Sequence, residues 1–173
     1  MVIVLYTTMI KAQDWNVGSG GNSLRNCLSG ITHGPAEADI LWQKCADAVL
    51  HQQTVIDGEI LVTCPVIDVN DVLHGTLIVA RDLYSGDTLW TKDLPVDFPD
   101  TDWRNRVSCF KNGVIYATRA GNTNSSYLYA IDASEGSILW KSVAFIDEYG
   151  YECCSFTDNG NLIAGNLFDI VCI

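Results

Sequence analysis

Positive charge is scarce in this 173-residue chain: 10 Lys and Arg stand against 21 Asp and Glu, for a formal net charge of −11. No Lys/Arg cluster reverses that balance locally, so a phosphate backbone would be repelled by most of the surface and nucleic acid is excluded as a natural partner. Histidine is rarer still. His33, His51 and His74 are isolated, no C-x-x-C pair occurs, and no Ser or Cys sits in a G-x-S-x-G setting, so a structural zinc or a nucleophilic triad has little to stand on. Helical periodicity is scant, and no apolar run approaches the ~20 residues that a membrane-spanning helix needs. A transmembrane segment is not expected.

What is present is apolar and turn-rich. With 48% hydrophobic and 18% charged residues, the chain can bury a real core. Fourteen glycines against four prolines, many of them in Asn-Gly, Asp-Gly or Ser-Gly pairs, suit short strands and tight hairpins. The opening MVIVLYTTMI, followed by Lys11-Ala12-Gln13-Asp14, reads as the apolar core and cleavage region of a secretory signal, with Ala12 the last residue removed. Residues 1–13 are then a signal remnant and 14–173 the repeat domain. No Lys or Arg precedes the run, so a start further upstream or an ordinary apolar opening stands beside that reading. Export would permit disulfides among the seven cysteines (27, 45, 64, 109, 153, 154, 172), an odd number that leaves at least one thiol unpaired.

Internal repetition organises the rest. Asp39-Ile40-Leu41-Trp42, Asp87-Thr88-Leu89-Trp90 and Ser137-Ile138-Leu139-Trp140 bring a tryptophan back after 48 and then 50 residues, the period of one propeller blade. The two complete copies share Ala80, Asp82, Gly86, Leu89 and Trp90 with Ala130, Asp132, Gly136, Leu139 and Trp140. The pattern is a strand ending at the Asp, a turn whose Gly takes positive φ, and a strand carrying the Trp inward. A second hairpin precedes each copy, in Val55–Thr63 and Cys109–Thr118, and a third begins at Ser155–Ala164. Two hairpins per period make four strands per repeat.

The motif A-x-D-x-x-[TS]-G-x-x-x-W resembles the tryptophan-docking signature of the PQQ-dependent (pyrroloquinoline-quinone) alcohol dehydrogenases and their non-enzymatic propeller relatives. The opening Asp14–Asn26, with Trp15, Gly20-Gly21-Asn22 and Arg25-Asn26, is similar to the entry segment of secreted members. Glu135 stands where the motif prefers Thr or Ser, and the repeat ending at Trp42 lacks the Ala-x-Asp and Gly. The resemblance implies an all-β propeller of four-stranded antiparallel blades, each Trp wedged between neighbouring blades. It covers about three blades where closed propellers have 4 to 8, so a fragment, or a chain that oligomerises, is expected. Trp42 is expected to close a blade completed by the other terminus.

Complete repeats without complete chemistry imply a non-catalytic binding or scaffolding module in the cell envelope or outside the cell, holding no cofactor. Its protein or small-molecule partner would meet the blade-connecting loops. The alternative is a fragment of a PQQ-dependent alcohol or sugar dehydrogenase, binding PQQ with calcium. There the resemblance would place Cys153-Cys154, as a vicinal disulfide, against the quinone; otherwise the pair merely starts a blade, as Ser108-Cys109 does one repeat earlier. Asp68–Asp71 and Thr157–Asn161 carry oxygens that could touch Ca²⁺, but they read first as turns. Asp97, Asp100, Asp102, Arg104 and Arg106 are expected in a solvated loop between blades.

Overall fold

The computed structural model describes residues 40–44, 54–71, 74–100, 102–120, 126–145, 155–165 and 170–173, and its regular elements are all strands. Sheet 1 contains β1 (Val55–Asp57), β2 (Ile60–Thr63), β3 (Ile78–Asp82) and β4 (Thr88–Lys92), paired in chain order. Sheet 2 repeats that order with β5 (Arg104–Lys111), β6 (Val114–Ala120), β7 (Tyr127–Asp132) and β8 (Ile138–Phe145). Sheet 3 has β9 (Ser155–Phe156), β10 (Leu162–Gly165) and β11 (Ile170–Cys172), with β10 in the middle. Every pairing is antiparallel. The hairpins expected at Asp57-Gly58, Asn112-Gly113 and Asn159-Gly160 are all formed, because Asn-Gly and Asp-Gly tolerate the twist of tight antiparallel turns. Among the described residues, no helix is long and apolar enough to cross a membrane.

The sheets stack in sequence. Val55, Val62, Ile78 and Ala80 of sheet 1 share one apolar cluster with Val107, Phe110, Ile115 and Ile131 of sheet 2. A second cluster joins Cys109 and Leu128 of sheet 2 to Phe156, Leu162 and Ala164 of sheet 3. Burial of such side chains contributes roughly 1.5–3 kcal/mol each, so the seams rather than the single sheets carry the cohesion. Strands β4 and β8 are largely exposed, as outer strands of their sheets. Four strands in chain order put the β1–β2 and β3–β4 turns at one end of sheet 1 and the β2–β3 connection at the other. Sheet 2 does the same. Sheets 1 and 2 therefore each have an end of tight turns and an end of longer connections.

Candidate functional site

At the turn end the two full repeats are built alike. Asp82 Oδ1 accepts the backbone N–H of Tyr84 (3.0 Å) and Ser85 (2.7 Å), and Asp132 Oδ1 accepts those of Ser134 (2.8 Å) and Glu135 (3.1 Å). Asp132 Oδ1 also accepts the Ser134 hydroxyl, and hydrogen bonds hold both carboxyls below the usual range: for Asp82 chiefly the Ser85 N–H, for Asp132 chiefly the Ser134 hydroxyl. Gly86 and Gly136 share φ +72°. Against each glycine lies the indole of the preceding repeat. A Cβ at Gly86 would sit 2.5 Å from Trp42 Cδ2, and one at Gly136 would sit 2.7 Å from Trp90 Cε3, so only glycine leaves room for the ring. Trp42 Nε1 donates to Leu83 O (2.9 Å) and Trp90 Nε1 donates to Ala133 O (2.7 Å). Trp90 thus leaves the outer strand β4 for the turn of the next repeat, and Trp42 reaches the turn of sheet 1 in the same way.

Trp140 faces Ala130 across the β7–β8 ladder, as Trp90 faces Ala80. Its ring lies 5.9 Å from that of Tyr116 and it is 37% exposed. Among the described residues it donates to no acceptor. Ala80 and Ala130 are fully buried, the small side chains that let the cross-strand tryptophans lie close.

The loop end is built on other residues. The β4–β5 connection, 93–103, lies over the seam between sheets 1 and 2 and is not solvated throughout. Asp102 is 2% exposed, and its Oδ2 accepts the N–H groups of Asp97 (2.8 Å) and Phe98 (2.9 Å), closing the loop on itself. Asn105 on β5 donates to Thr76 O (2.7 Å) and Asp93 Oδ1 (2.8 Å) and accepts the Leu94 N–H (3.0 Å). One amide therefore ties the β2–β3 connection to the β4–β5 connection. Arg119 on β6, 2% exposed, donates to Leu94 O (2.8 Å), Trp103 O (2.6 Å) and the Asp93 carboxylate. A buried guanidinium with three acceptors is satisfied as a brace.

Beside it, Asp97 accepts from the Tyr129 hydroxyl and from Lys141 Nζ (2.9 Å). Partial burial pushes the Asp97 carboxyl up, but these two donors outweigh it and hold it below its ordinary value. Burial, then the bond to Asp97, drives the Tyr129 hydroxyl the other way. A carboxylate with both oxygens engaged is a poor proton acceptor, so the cluster fixes shape rather than moving protons. Lys141 also lies 4.2 Å from the Tyr127 ring, and Phe98 packs against Tyr127 and Phe145.

What the loop end presents outward mixes apolar with acidic side chains, Asp68, Asp71, Asp93 and Asp100 being exposed. Ile67 (52% exposed) and Val69 (54%) project from the β2–β3 connection, and Val96 (42%) projects from 93–103. The segment Asp68–Asp71 is a turn: Asp68 Oδ1 accepts the Asn70 N–H (2.8 Å) and Asp71 Oδ1 accepts the His74 N–H (3.0 Å). In the second candidate, the Thr157 hydroxyl accepts the Asn161 N–H (3.0 Å), again a turn. Among the described residues, no three His, Cys, Asp or Glu side chains are grouped so as to hold a metal ion. Cys64, Cys109 and Cys172 carry free thiols, and burial pushes that of Cys64 up to about 12. Cys153 and Cys154, the candidate quinone contact, lie outside the described residues, as do Trp15 and the apolar opening.

Sequence reasoning found the turn-end residues and missed Arg119, Asn105 and Tyr129. One signal was available for Arg119, an arginine among alternating apolar positions of Val114–Ala120 on the face a core would occupy. No family model matches this chain, and no curated protein matches it.

Proposed function

We propose that the chain is a non-catalytic, PQQ-like β-propeller repeat module that binds or scaffolds a protein partner in the cell envelope or outside the cell. The observation that carries the repeat reading is the doubled seam. Two tryptophans 48 residues apart each reach the next repeat's turn, donate to the carbonyl after its Asp and lie on its glycine. Tryptophan docking of that kind supplies the regular stacking from which a propeller is built. The binding reading is supported by the loop end, where Arg119 and Asp102 are turned inward to brace the connections and the apolar Ile67, Val69 and Val96 face out among the exposed Asp68, Asp71, Asp93 and Asp100.

Photocross-linkers placed at Ile67 and Val96 in cells producing the protein test this reading. Capture of one defined envelope or extracellular protein from both positions is expected, with none from Thr88 on the outer strand. Absence of a cross-link from either loop overturns the binding role. Calorimetric titration with PQQ and Ca²⁺ is expected to show no saturable heat; saturable binding would replace this reading with the dehydrogenase one.

A further inference from the structure

Apolar and acidic side chains share the loop end, and together they narrow what it binds. The β2–β3 and β4–β5 connections, 64–77 and 93–103, contain six Asp and no Lys or Arg. Both are held in shape by bonds of their own. Val66 bridges Thr76, the Ile67 N–H donates to Gly75 O (2.7 Å) and the Gly75 N–H donates to Asp71 O (2.6 Å). Asp102 closes the second connection, and Asn105 ties the two together. A partner meeting braced loops has little ordering cost to offset, so the exposed side chains set its chemistry.

The acids differ in what faces them. Asp93 meets Arg119, Asp97 meets Lys141, and Asp71 meets the His74 ring. Arg119 is buried, and Lys92, Arg104 and Arg106, on the adjoining strands, are half-buried. Asp68 and Asp100 are exposed and, among the described residues, have no cation within ion-pair distance. Asp102 also keeps one buried carboxylate oxygen, Oδ1, without a hydrogen-bond partner among the described residues. Asp68 stands between Ile67 and Val69 in the chain, and Asp100 shares its connection with Val96. Uncompensated negative charge therefore accompanies each exposed apolar side chain.

We infer that the partner at this loop end is a basic protein segment, in which Lys or Arg flanks the apolar residues that cover Ile67, Val69 and Val96. The inference rests on the binding reading above and names the partner's chemistry. Covering those side chains takes water from Asp68 and Asp100 too, and a carboxylate stripped of water is costly unless a cation or donor replaces it. A neutral or acidic partner leaves that cost standing. A basic one offsets it, and its charge also speeds and orients the encounter. Anionic lipid and nucleic acid are repelled by the same carboxylates.

The test uses the chain from Met1 to Ile173 and two labelled peptides of equal length, one alternating Lys with Leu and the other Glu with Leu, followed by fluorescence anisotropy. The Lys–Leu peptide should bind and the Glu–Leu peptide should not. Asp68→Asn/Asp100→Asn, which keeps the Asp68 oxygen that accepts the Asn70 N–H, should weaken binding about tenfold, as the loss of two exposed ion pairs allows. Ile67→Ser/Val96→Ser should weaken it as well. Glu59→Gln/Glu135→Gln removes the same charge from exposed positions at the turn end and should leave binding unchanged. Equal binding of the two peptides, or equal losses from the two acid pairs, overturns the inference. The binding reading has its own readout in the photocross-linkers at Ile67 and Val96. A partner captured there whose yield is indifferent to Asp68→Asn/Asp100→Asn overturns the basic segment and leaves the binding role standing, whereas no capture removes both.

Discussion

The two ends of the sheets follow different rules. At the turn end, sheets 1 and 2 are near copies: Asp82 and Asp132 cap the same donors, Gly86 and Gly136 share one φ, and Leu83 and Ala133 donate to the preceding hairpin turn at the same 2.9 Å. At the loop end the first seam is the one described, because residues 121–125 and 146–154 of the next lie outside the described residues. Arg119, Asn105, Asp93 and Asp102 hold the first seam, and Val62 and Tyr116 mark how far corresponding strand positions differ. The turn end is a joint that any repeat can make with the next. The loop end of the first seam is held instead by side chains that its own connections and strands supply.

The largest effect is expected at Arg119. Replacing it with Met leaves two main-chain carbonyls without this donor and Asp93 with the Asn105 amide alone, and removing one partner of a buried pair costs about 3–5 kcal/mol. Half-exposure of Asp93 lets water recover part of that, so denaturant unfolding should show a loss of about 3 kcal/mol. A loss below about 1 kcal/mol would make the brace ornamental.

Trp90→Ala tests the joint itself. Losing a large aromatic costs about 3–5 kcal/mol when fully buried, and Trp90 is only half-buried, so a loss of about 2 kcal/mol is expected. Trp140→Ala, which removes no described hydrogen bond, should cost about half as much or less in the same thermal unfolding measurement. Equal losses would mean that the seam contact adds nothing beyond the ring itself. Gly136→Ala should follow, at about 1–2 kcal/mol for a left-handed backbone alone, with the indole displaced as well. Quenching of Trp90 fluorescence by iodide should rise in that variant.

The smallest effect is expected from pH. Asp82 and Asp132 have folded-state pKa values depressed below 3.8. A depressed carboxyl contributes stability that is fully present above the unfolded pKa and is lost as pH falls through the folded one. Melting temperature should therefore be flat from neutral pH to about pH 5 and fall below about pH 4. Asp82→Asn/Asp132→Asn should flatten that fall, while Asp97→Asn, with Lys141 left unpaired, should change the neutral value too. An acid limb that the double variant leaves intact would assign the loss to other carboxyls.

Much of this architecture was legible because hairpins and turns are local. Asn112-Gly113, and Asp82 followed four residues later by Gly86, each settle a backbone path within a few residues, and recurrence of the Ala, Asp, Gly and Trp positions exposes the repeat. Sequence also located the 93–103 connection but expected it to be solvated. Asp93 and Asp100 are exposed, but Asp102 is turned inward because it satisfies the loop's own N–H groups, and Tyr129 and Lys141 arrive at Asp97 from strands more than 30 residues away.

By itself, then, the sequence determined strand content, the antiparallel hairpins and the positions of the turn-end glycines and tryptophans, since each depends on φ preferences and side-chain size within one repeat. Tertiary structure alone decided that Trp42 and Trp90 reach forward to the next repeat's carbonyl, and that Arg119 and Asn105 join the loop connections. Those contacts span separations of 11 to 43 residues. They form only once the sheets have stacked, because a buried donor finds its acceptor when burial has excluded water.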